Sequence, residues 1–304
     1  MALTYGFIGL GHLGRHLAGS LVRAGFTVVV NDLDPDNAKE LVAAGARFAA
    51  DPQAVAEAVD AVITCLPSPK VSERVLTGER GILKGLKPGA TWIEMSTLDE
   101  QEVLRLGKVA AEAGVRMLES PVTGGVHLAA SGEITVIIGG DSDLYDLHLP
   151  AFQAMGKQIF RAGPLGKAAV IKVITNMLAF IHLIATGEAL MLAKKGGIDL
   201  TDAFNIIKAS SGNSFVHETE GQVILNGSYN INFTMDLALK DLGFALGFGK
   251  EFGVPLDLAG HAMQTFVRAK AIYGGQAWSS DWAIDGAKRA FTCCTIRVGG
   301  QSTG

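Results

Sequence analysis

Short runs of β-branched and aromatic residues, bounded by glycine or acidic positions, recur along the first half of the chain: TYGFI (4–8), TVVVN (27–31), AVITCL (61–66), TWIEMS (91–96), VRMLES (115–120) and ITVIIGG (134–140). Between them lie stretches with helical spacing of apolar residues, such as His12 to Ala24 and Leu98 to Ala113. Leu98 to Ala113 mixes charges into its pattern and reads as a solvated helix. The first two runs and the helix between them form a βαβ unit, and the continued alternation predicts a mainly parallel sheet with helices on both faces. After Gly163 the strand pattern stops. Helical periodicity then covers about 167–195, 201–211, 214–225, 235–252, 256–273 and 280–291, separated by turns such as GGID and NGSYNIN. Gly163-Pro164 is therefore the expected boundary between an α/β domain, 1–163, and an all-α domain, 164–304.

The longest apolar stretch, KAAVIKVITNMLAFIHLIA (167–185), contains Lys172. A membrane span needs about 20 predominantly apolar residues, and Lys172, Asn176, His182 and Glu188 interrupt this one, so it reads as a buried helix of a soluble protein. It is expected between the domains, where small-molecule clefts form. An ammonium removed from water without compensation is costly. Either the head of Lys172 escapes along its stem, or a site uses a cation there. Met177, Phe180 and Leu183 on the same stretch read as core residues.

Composition narrows the function. The 304 residues are 48% hydrophobic and 18% charged, with 38 glycines, which fits a compact globular protein large enough for two domains. A net charge of −4 without a basic run leaves no field for a phosphate backbone, so nucleic acid is not an expected partner. Cys65, Cys293 and Cys294 fit no metal-ligand spacing and read as free thiols in a reducing compartment; no metal and no disulfide are expected. The opening residues lack the charged and long apolar regions of a signal peptide, which predicts a cytoplasmic protein without membrane association.

Gly9-Leu10-Gly11-His12-Leu13-Gly14 is a G-x-G-x-x-G directly after a predicted strand and opening a predicted helix. Its three glycines serve a tight turn, close backbone approach to a pyrophosphate, and close packing of helix on strand. Asp32 ends the second strand, where an acid binds the adenosine ribose hydroxyls. Leu33 offers no charge for a 2′-phosphate, and Asp34 and Asp36 would repel one. The expected cofactor is NAD, with NADP disfavoured.

The segments GFIGLGHLGRHLAGSLVRAGFTVVV, DAVITCLPSPKVSERVL, IEMST, SPVTGG, GPLGKAAVIKVITN and LALKDLGFAL follow in the order and approximate spacing of the β-hydroxyacid dehydrogenase family, which the chain resembles over nearly its whole length. The resemblance implies an α/β Rossmann domain with a doubly wound sheet, a long connecting helix, an all-α C-terminal domain and a homodimer or homotetramer. It implies reversible NAD(P)-linked oxidation of a small 3-hydroxy acid to its aldehyde or ketone. By position, Lys172 becomes the catalytic lysine and Asn176 its supporting asparagine. Thr123, Gly124 and Gly125 match the loop that holds the substrate carboxylate. Leu66, Pro67 and Thr97 match cofactor-lining positions, Lys240 the lysine of a K-D pair near the nicotinamide, and Phe233 an active-site aromatic. Four departures stand out: Leu13 for methionine, Thr175 for the first of two asparagines, Thr123 for serine, and Leu128 for a glycine. The last, beside His127, bears on substrate preference.

The residues themselves support this chemistry. Lys172 and Asn176 lie four apart on a helix and share a face. A lysine in an apolar site can take the hydroxyl proton as hydride leaves, and return it in reduction, at a typical contribution of about 10²–10⁴-fold. Thr123-Gly124-Gly125 offers a hydroxyl and unobstructed amides, although a glycine turn alone has the same look. Lys240 has an ordinary alternative, an ion pair with Asp236 one turn earlier. His127 reads as a specificity or surface residue among scattered histidines, and Trp278 and Trp282 as packing residues. Two other readings remain open: a non-catalytic dinucleotide-binding or scaffold protein of the same fold, and an imine reductase of related architecture.

Overall fold

A computed structural model describes residues 3–281; Trp282, Cys293, Cys294 and most of the helix expected at 280–291 lie outside the described residues. Two compact units meet at Thr175 and Asn176. The first carries nine strands and seven helices, beginning β1 (Tyr5–Ile8), α1 (Gly14–Arg23), β2 (Val28–Asn31), α2 (Lys39–Ala43), β3 (Arg47–Phe48), α3 (Pro52–Ala56), β4 (Ala61–Thr64), α4 (Pro69–Thr77), β5 (Thr91–Glu94) and α5 (Glu100–Glu112). It continues with β6 (Arg116–Glu119), β7 (Val122–Thr123), α6 (Gly125–Ser131), β8 (Ile134–Gly139), α7 (Ser142–Met155) and β9 (Gly156–Gly163).

β3, β2, β1, β4, β5 and β6 run parallel in that spatial order, with Tyr5 opposite both Val28 and Ala61. This is the doubly wound dinucleotide-binding arrangement. β8 then turns antiparallel against β6 and β7, and β9 adds in parallel to β8. The central strands are buried along their full length, as strands covered by helices on both faces must be. Tyr5, Phe7, Val30, Ile63 and Ile93 serve one core layer; Ile8, Val29, Val62 and Trp92 serve the other.

The sequence pattern locates six of the nine strands. It misses β3 and β7, which are only two residues long, and β9, whose exposed polar positions break the apolar run. The helix read as solvated is corrected: α5 buries Val103, Leu106 and Ala110 against the sheet, together with the carboxylate-bearing Glu100 of its first turn. Asp99 caps it by accepting the Glu102 amide at 2.8 Å.

α8 (Lys167–Lys195) leads from the first unit into the second, where α9 (Leu200–Lys208), α10 (Phe215–Leu225), α11 (Met235–Phe252) and α12 (Asp257–Tyr273) follow. Asp199, Ser214 and Thr234 cap α9, α10 and α11 through their side-chain oxygens. α8 is apolar and long enough to cross a membrane by length and composition. Its residues nonetheless pack into protein cores: Ala169 into the sheet core of the first unit, Phe180, Leu183 and Leu190 into that of the second. The first turns of the helix therefore belong to the sheet, which places the division of the two units twelve residues past the Gly163-Pro164 boundary drawn from pattern alone.

Candidate functional site

In the first unit the glycine loop joins β1 to α1, and each glycine has its own reason. Gly9 has φ +96°, and a β-carbon there would sit 2.3 Å from the Cys65 carbonyl oxygen. One on Gly14 would meet the Gly9 carbonyl oxygen at 2.0 Å. One on Gly11 would meet nothing within 4 Å. Folding therefore requires Gly9 and Gly14, whereas the bare backbone at Gly11 leaves a space that a bound pyrophosphate would fill beside the positive end of α1. Leu10 is wholly buried in the sheet core and Leu13 packs against that core, while Gly11 and His12 are exposed.

Asp32 follows β2. Its carboxylate accepts the Leu10 amide at 2.6 Å, the Asp34 amide at 2.9 Å and the Asn37 side chain at 3.1 Å. It thus holds the glycine loop to the end of β2, and its two oxygens retain lone pairs for a ribose hydroxyl. Leu33 beside it is 91% exposed, and the nearby Lys39 is paired with Asp36 at 2.9 Å.

Leu66 and Pro67 follow β4, and Thr97 follows β5. The sequence reading missed what ties these loops together. Ser96 accepts the Leu66 amide on its hydroxyl oxygen at 2.8 Å and donates its own amide to Glu94 at 2.8 Å. Glu94 is fully buried, and desolvation raises the pKa of its carboxyl against the hydrogen bonds from Ser96. An acid inside an otherwise apolar strand was the available signal. Cys65 is a free thiol that burial pushes up to about 12, so it holds no thiolate at neutral pH.

Thr123 closes β7 and is half-buried. Gly124 and Gly125 follow with φ of +122° and +84°, Gly124 at the N-cap and Gly125 as the first residue of α6. Leu128 explains part of this geometry: its side chain would lie 2.8 Å from a β-carbon on Gly124, and it packs against the sheet core. Leu128 is thus a packing residue that locks Gly124, while His127 is exposed next to Gly125.

Lys172 and Asn176 lie one turn apart on α8, each 8% exposed. In the second unit Asn176 donates from Nδ2 to Asp241 Oδ2 at 2.6 Å. Lys240 Nζ lies 2.9 Å from Asp241 Oδ1 and 5.1 Å over the Phe244 ring. Asp236 pairs with Lys270 of α12 at 2.6 Å, a partner that one-turn spacing did not offer. Asp241, almost fully buried, is a second residue the sequence reading passed over. It gathers Asn176 and Lys240 into one network, and the K-D dipeptide was its signal. Phe233 packs with Phe180 at a ring separation of 5.7 Å. Other histidines are structural: His148 bonds the Tyr5 hydroxyl at 2.9 Å, and His217 stacks on Phe204.

Residues 4–163 match the family model described as the NAD binding domain of 6-phosphogluconate dehydrogenase, and residues 166–282 match that described as NAD-binding of NADP-dependent 3-hydroxyisobutyrate dehydrogenase. The chain is 35% identical over 272 residues to 2-(hydroxymethyl)glutarate dehydrogenase of Eubacterium barkeri, covering 89% of this chain and 90% of that one. It is 34% identical over 278 residues to L-threonate dehydrogenase of Cupriavidus necator, covering 91% and 94%. The crystal structure of 3-hydroxyisobutyrate dehydrogenase from Salmonella typhimurium superposes with a TM-score of 0.85 at 30% identity, covering 91% of this chain and 98% of that one.

Proposed function

We propose that this chain, which belongs to the β-hydroxyacid dehydrogenase family, uses Lys172 as the general acid and base in NAD-linked oxidation of a small 3-hydroxy acid. It is an oxidoreductase of the hydroxyacid dehydrogenase type with a nicotinamide dinucleotide cofactor. That cofactor, when bound, accepts or gives the hydride.

The observation that carries the reading is a lysine 8% exposed, one turn from an asparagine that a buried aspartate holds by a 2.6 Å hydrogen bond. In oxidation the Lys172 amine takes the proton of the substrate hydroxyl, and in reduction the ammonium returns it. Asn176 does not titrate; with its amide fixed by Asp241, it orients a substrate oxygen or the lysine. The Thr123 hydroxyl and the amides of Gly124 and Gly125 bind the substrate carboxylate. Asp32 with the uncharged Leu33 favours NAD, because a 2′-phosphate would face a carboxylate and find no cation free of an acid partner at Lys39. A steady-state comparison of NAD with NADP tests this last point, and a clear preference for NADP refutes it.

Lys172→Ala should lower kcat about 10²–10⁴-fold with cofactor affinity and folding near normal. Turnover that persists in this variant would sink the assignment. Screening short 3-hydroxy acids and their semialdehydes by NADH absorbance identifies the substrate.

The active molecule is proposed to be a homo-oligomer. Leu192 on α8 is 76% exposed, and Leu258 on α12, 68% exposed, lines a groove with Ile181, Ile184, Ala185, Glu188 and Arg268. Light scattering should give a dimer or tetramer that Leu258→Glu weakens; a monomer at micromolar concentration would exclude it.

A further inference from the structure

The longest helix of the protein starts without a capping residue. α8 follows Gly163-Pro164-Leu165-Gly166, none of which carries a side chain able to accept a hydrogen bond from the first-turn amides. The cap comes instead from the sheet. Glu119, the last residue of β6 and 1% exposed, accepts the Ala168 amide on Oε1 at 3.0 Å and the Ala169 amide on Oε2 at 2.8 Å. Room for the carboxylate is built in: it lies against Gly139 of β8, where a β-carbon would come 2.2 Å from Oε1.

We propose that Glu119 is a positioning residue for the reaction, its ionised carboxylate fixing the turn of α8 that carries Lys172 to the strand that leads into the Thr123-Gly124-Gly125 loop. The inference rests on Lys172 being the proton-transfer group. Ala168 is the pivot. Its amide is held by Glu119, its carbonyl accepts the Lys172 amide in the helix ladder, and the two side chains share one buried face. Glu119 stands four residues before Thr123, so one side chain sets both the loop assigned to the carboxylate and the helix assigned to the proton. Ordinary helix capping is done by a local Ser, Thr or Asp at lower desolvation cost.

Two amides donating to both oxygens call for the ionised form, because a protonated carboxyl turns one of those oxygens into a donor. Burial and the nearby Glu100 oppose that ionisation and lift the group to about 7, against the Ala168 and Ala169 amides. The charged groups facing it are Glu100 on α5, which is paired with Lys167 of α8 at 2.7 Å, and Glu94 in register on β5. The cap therefore tightens as pH rises through neutrality.

Hydrogen exchange over residues 165–175, together with kcat and KM profiles, tests this. Glu119→Gln keeps the shape but offers one acceptor and an opposing NH₂, so the Ala168 and Ala169 amides should lose about tenfold in protection. Alongside, kcat for reduction, in which the proton donor Lys172 sets only the alkaline limb, should fall about tenfold, its acid limb near neutrality should vanish, and the cofactor KM should hold. Glu119→Asp retains the charge and should recover part of both losses. Unchanged protection in Glu119→Gln overturns the proposal, as does an acid limb that survives it. If the Gln variant does not fold, the wild-type protein decides: after correction for intrinsic exchange, protection of these amides should rise between pH 6 and 8.5, and a flat profile overturns the cap. Protection that follows Glu119 while Lys172→Ala stays active would leave the cap intact and sink the lysine assignment. An inactive Lys172→Ala with flat protection would do the reverse.

Discussion

The two units solve the same problem, holding polar groups ready for a ligand, with different materials. The first does it with backbone: Gly9, Gly11 and Gly14 shape a loop that leaves open space at Gly11 before α1, and Asp32 and Ser96 pin the loops from behind. The second does it with side chains: Asp241 is buried among the helices and holds Asn176 on one oxygen and Lys240 on the other. A backbone site tolerates changes of side chain but no added β-carbon. A side-chain network tolerates small changes of shape but not the loss of one charge.

The sharpest way to break the backbone half is within the loop itself. Gly14→Ala places a β-carbon 2.0 Å from the Gly9 carbonyl oxygen, so α1 must shift off β1. The expected destabilisation is about 3 kcal/mol or more, read as a lower denaturation midpoint. Gly11→Ala meets nothing within 4 Å and should leave that midpoint unchanged, while cofactor affinity drops roughly tenfold. Equal effects of the two variants on stability would show that the loop is a turn and nothing more.

Asp241→Asn is the matching test in the second unit. The isosteric amide removes the charge that pairs with Lys240 and weakens the acceptor of the Asn176 bond. Hydrogen bonds to charged groups are worth about 1.5–3 kcal/mol, which corresponds to roughly 10- to 100-fold in kcat. Cofactor binding to the first unit should be unaffected, as isothermal titration would show. A variant with wild-type kcat would remove Asn176 positioning from the mechanism.

This contrast also decides what was legible in the sequence. Glycine patterns and strand periodicity are local, so the loop, the alternation of six strands with helices and the helical second half could be read directly. Lys172 drew notice because a charge in an apolar run is locally anomalous. Glu119 and Asp241 were passed over because the groups that make them important lie far along the chain: Glu119 caps a helix 49 residues away, and Asp241 meets Asn176 across 65. Asp236 shows the same limit. Helical spacing offers Lys240 as a partner and says nothing of Lys270, which pairs with Asp236 from another helix. The departure at Leu128 was read toward substrate preference, but its packing against the core and over Gly124 gives it a structural role.

The smallest effect distinguishes neutral from charged burial. The first unit buries a neutral pair, Tyr5 and His148, whereas the second buries Asp241 in an ion pair with the half-buried Lys240. Desolvation lowers His148 from its usual value to about 4 and lifts Tyr5 to about 12. A histidine whose folded pKa is depressed costs stability as pH falls, because the unfolded chain gains a proton near 6.5 that the folded one refuses. The loss begins near 6.5, reaches on the order of 1 kcal/mol by pH 5.5, and is complete below about 4. Glu119 and Glu220, each raised to about 7 by burial, act in the opposite direction over part of the same window, since the folded state holds their protons more tightly. The whole-protein curve therefore mixes signs, and the informative quantity is the difference between wild type and His148→Gln. The amide retains a partner for the Tyr5 hydroxyl without titrating, so the difference should shift in favour of the variant by about 1 kcal/mol between pH 7.5 and 5.5. A difference constant with pH would mean that His148 carries its proton inside the core, and that the two units bury polar groups in the same way.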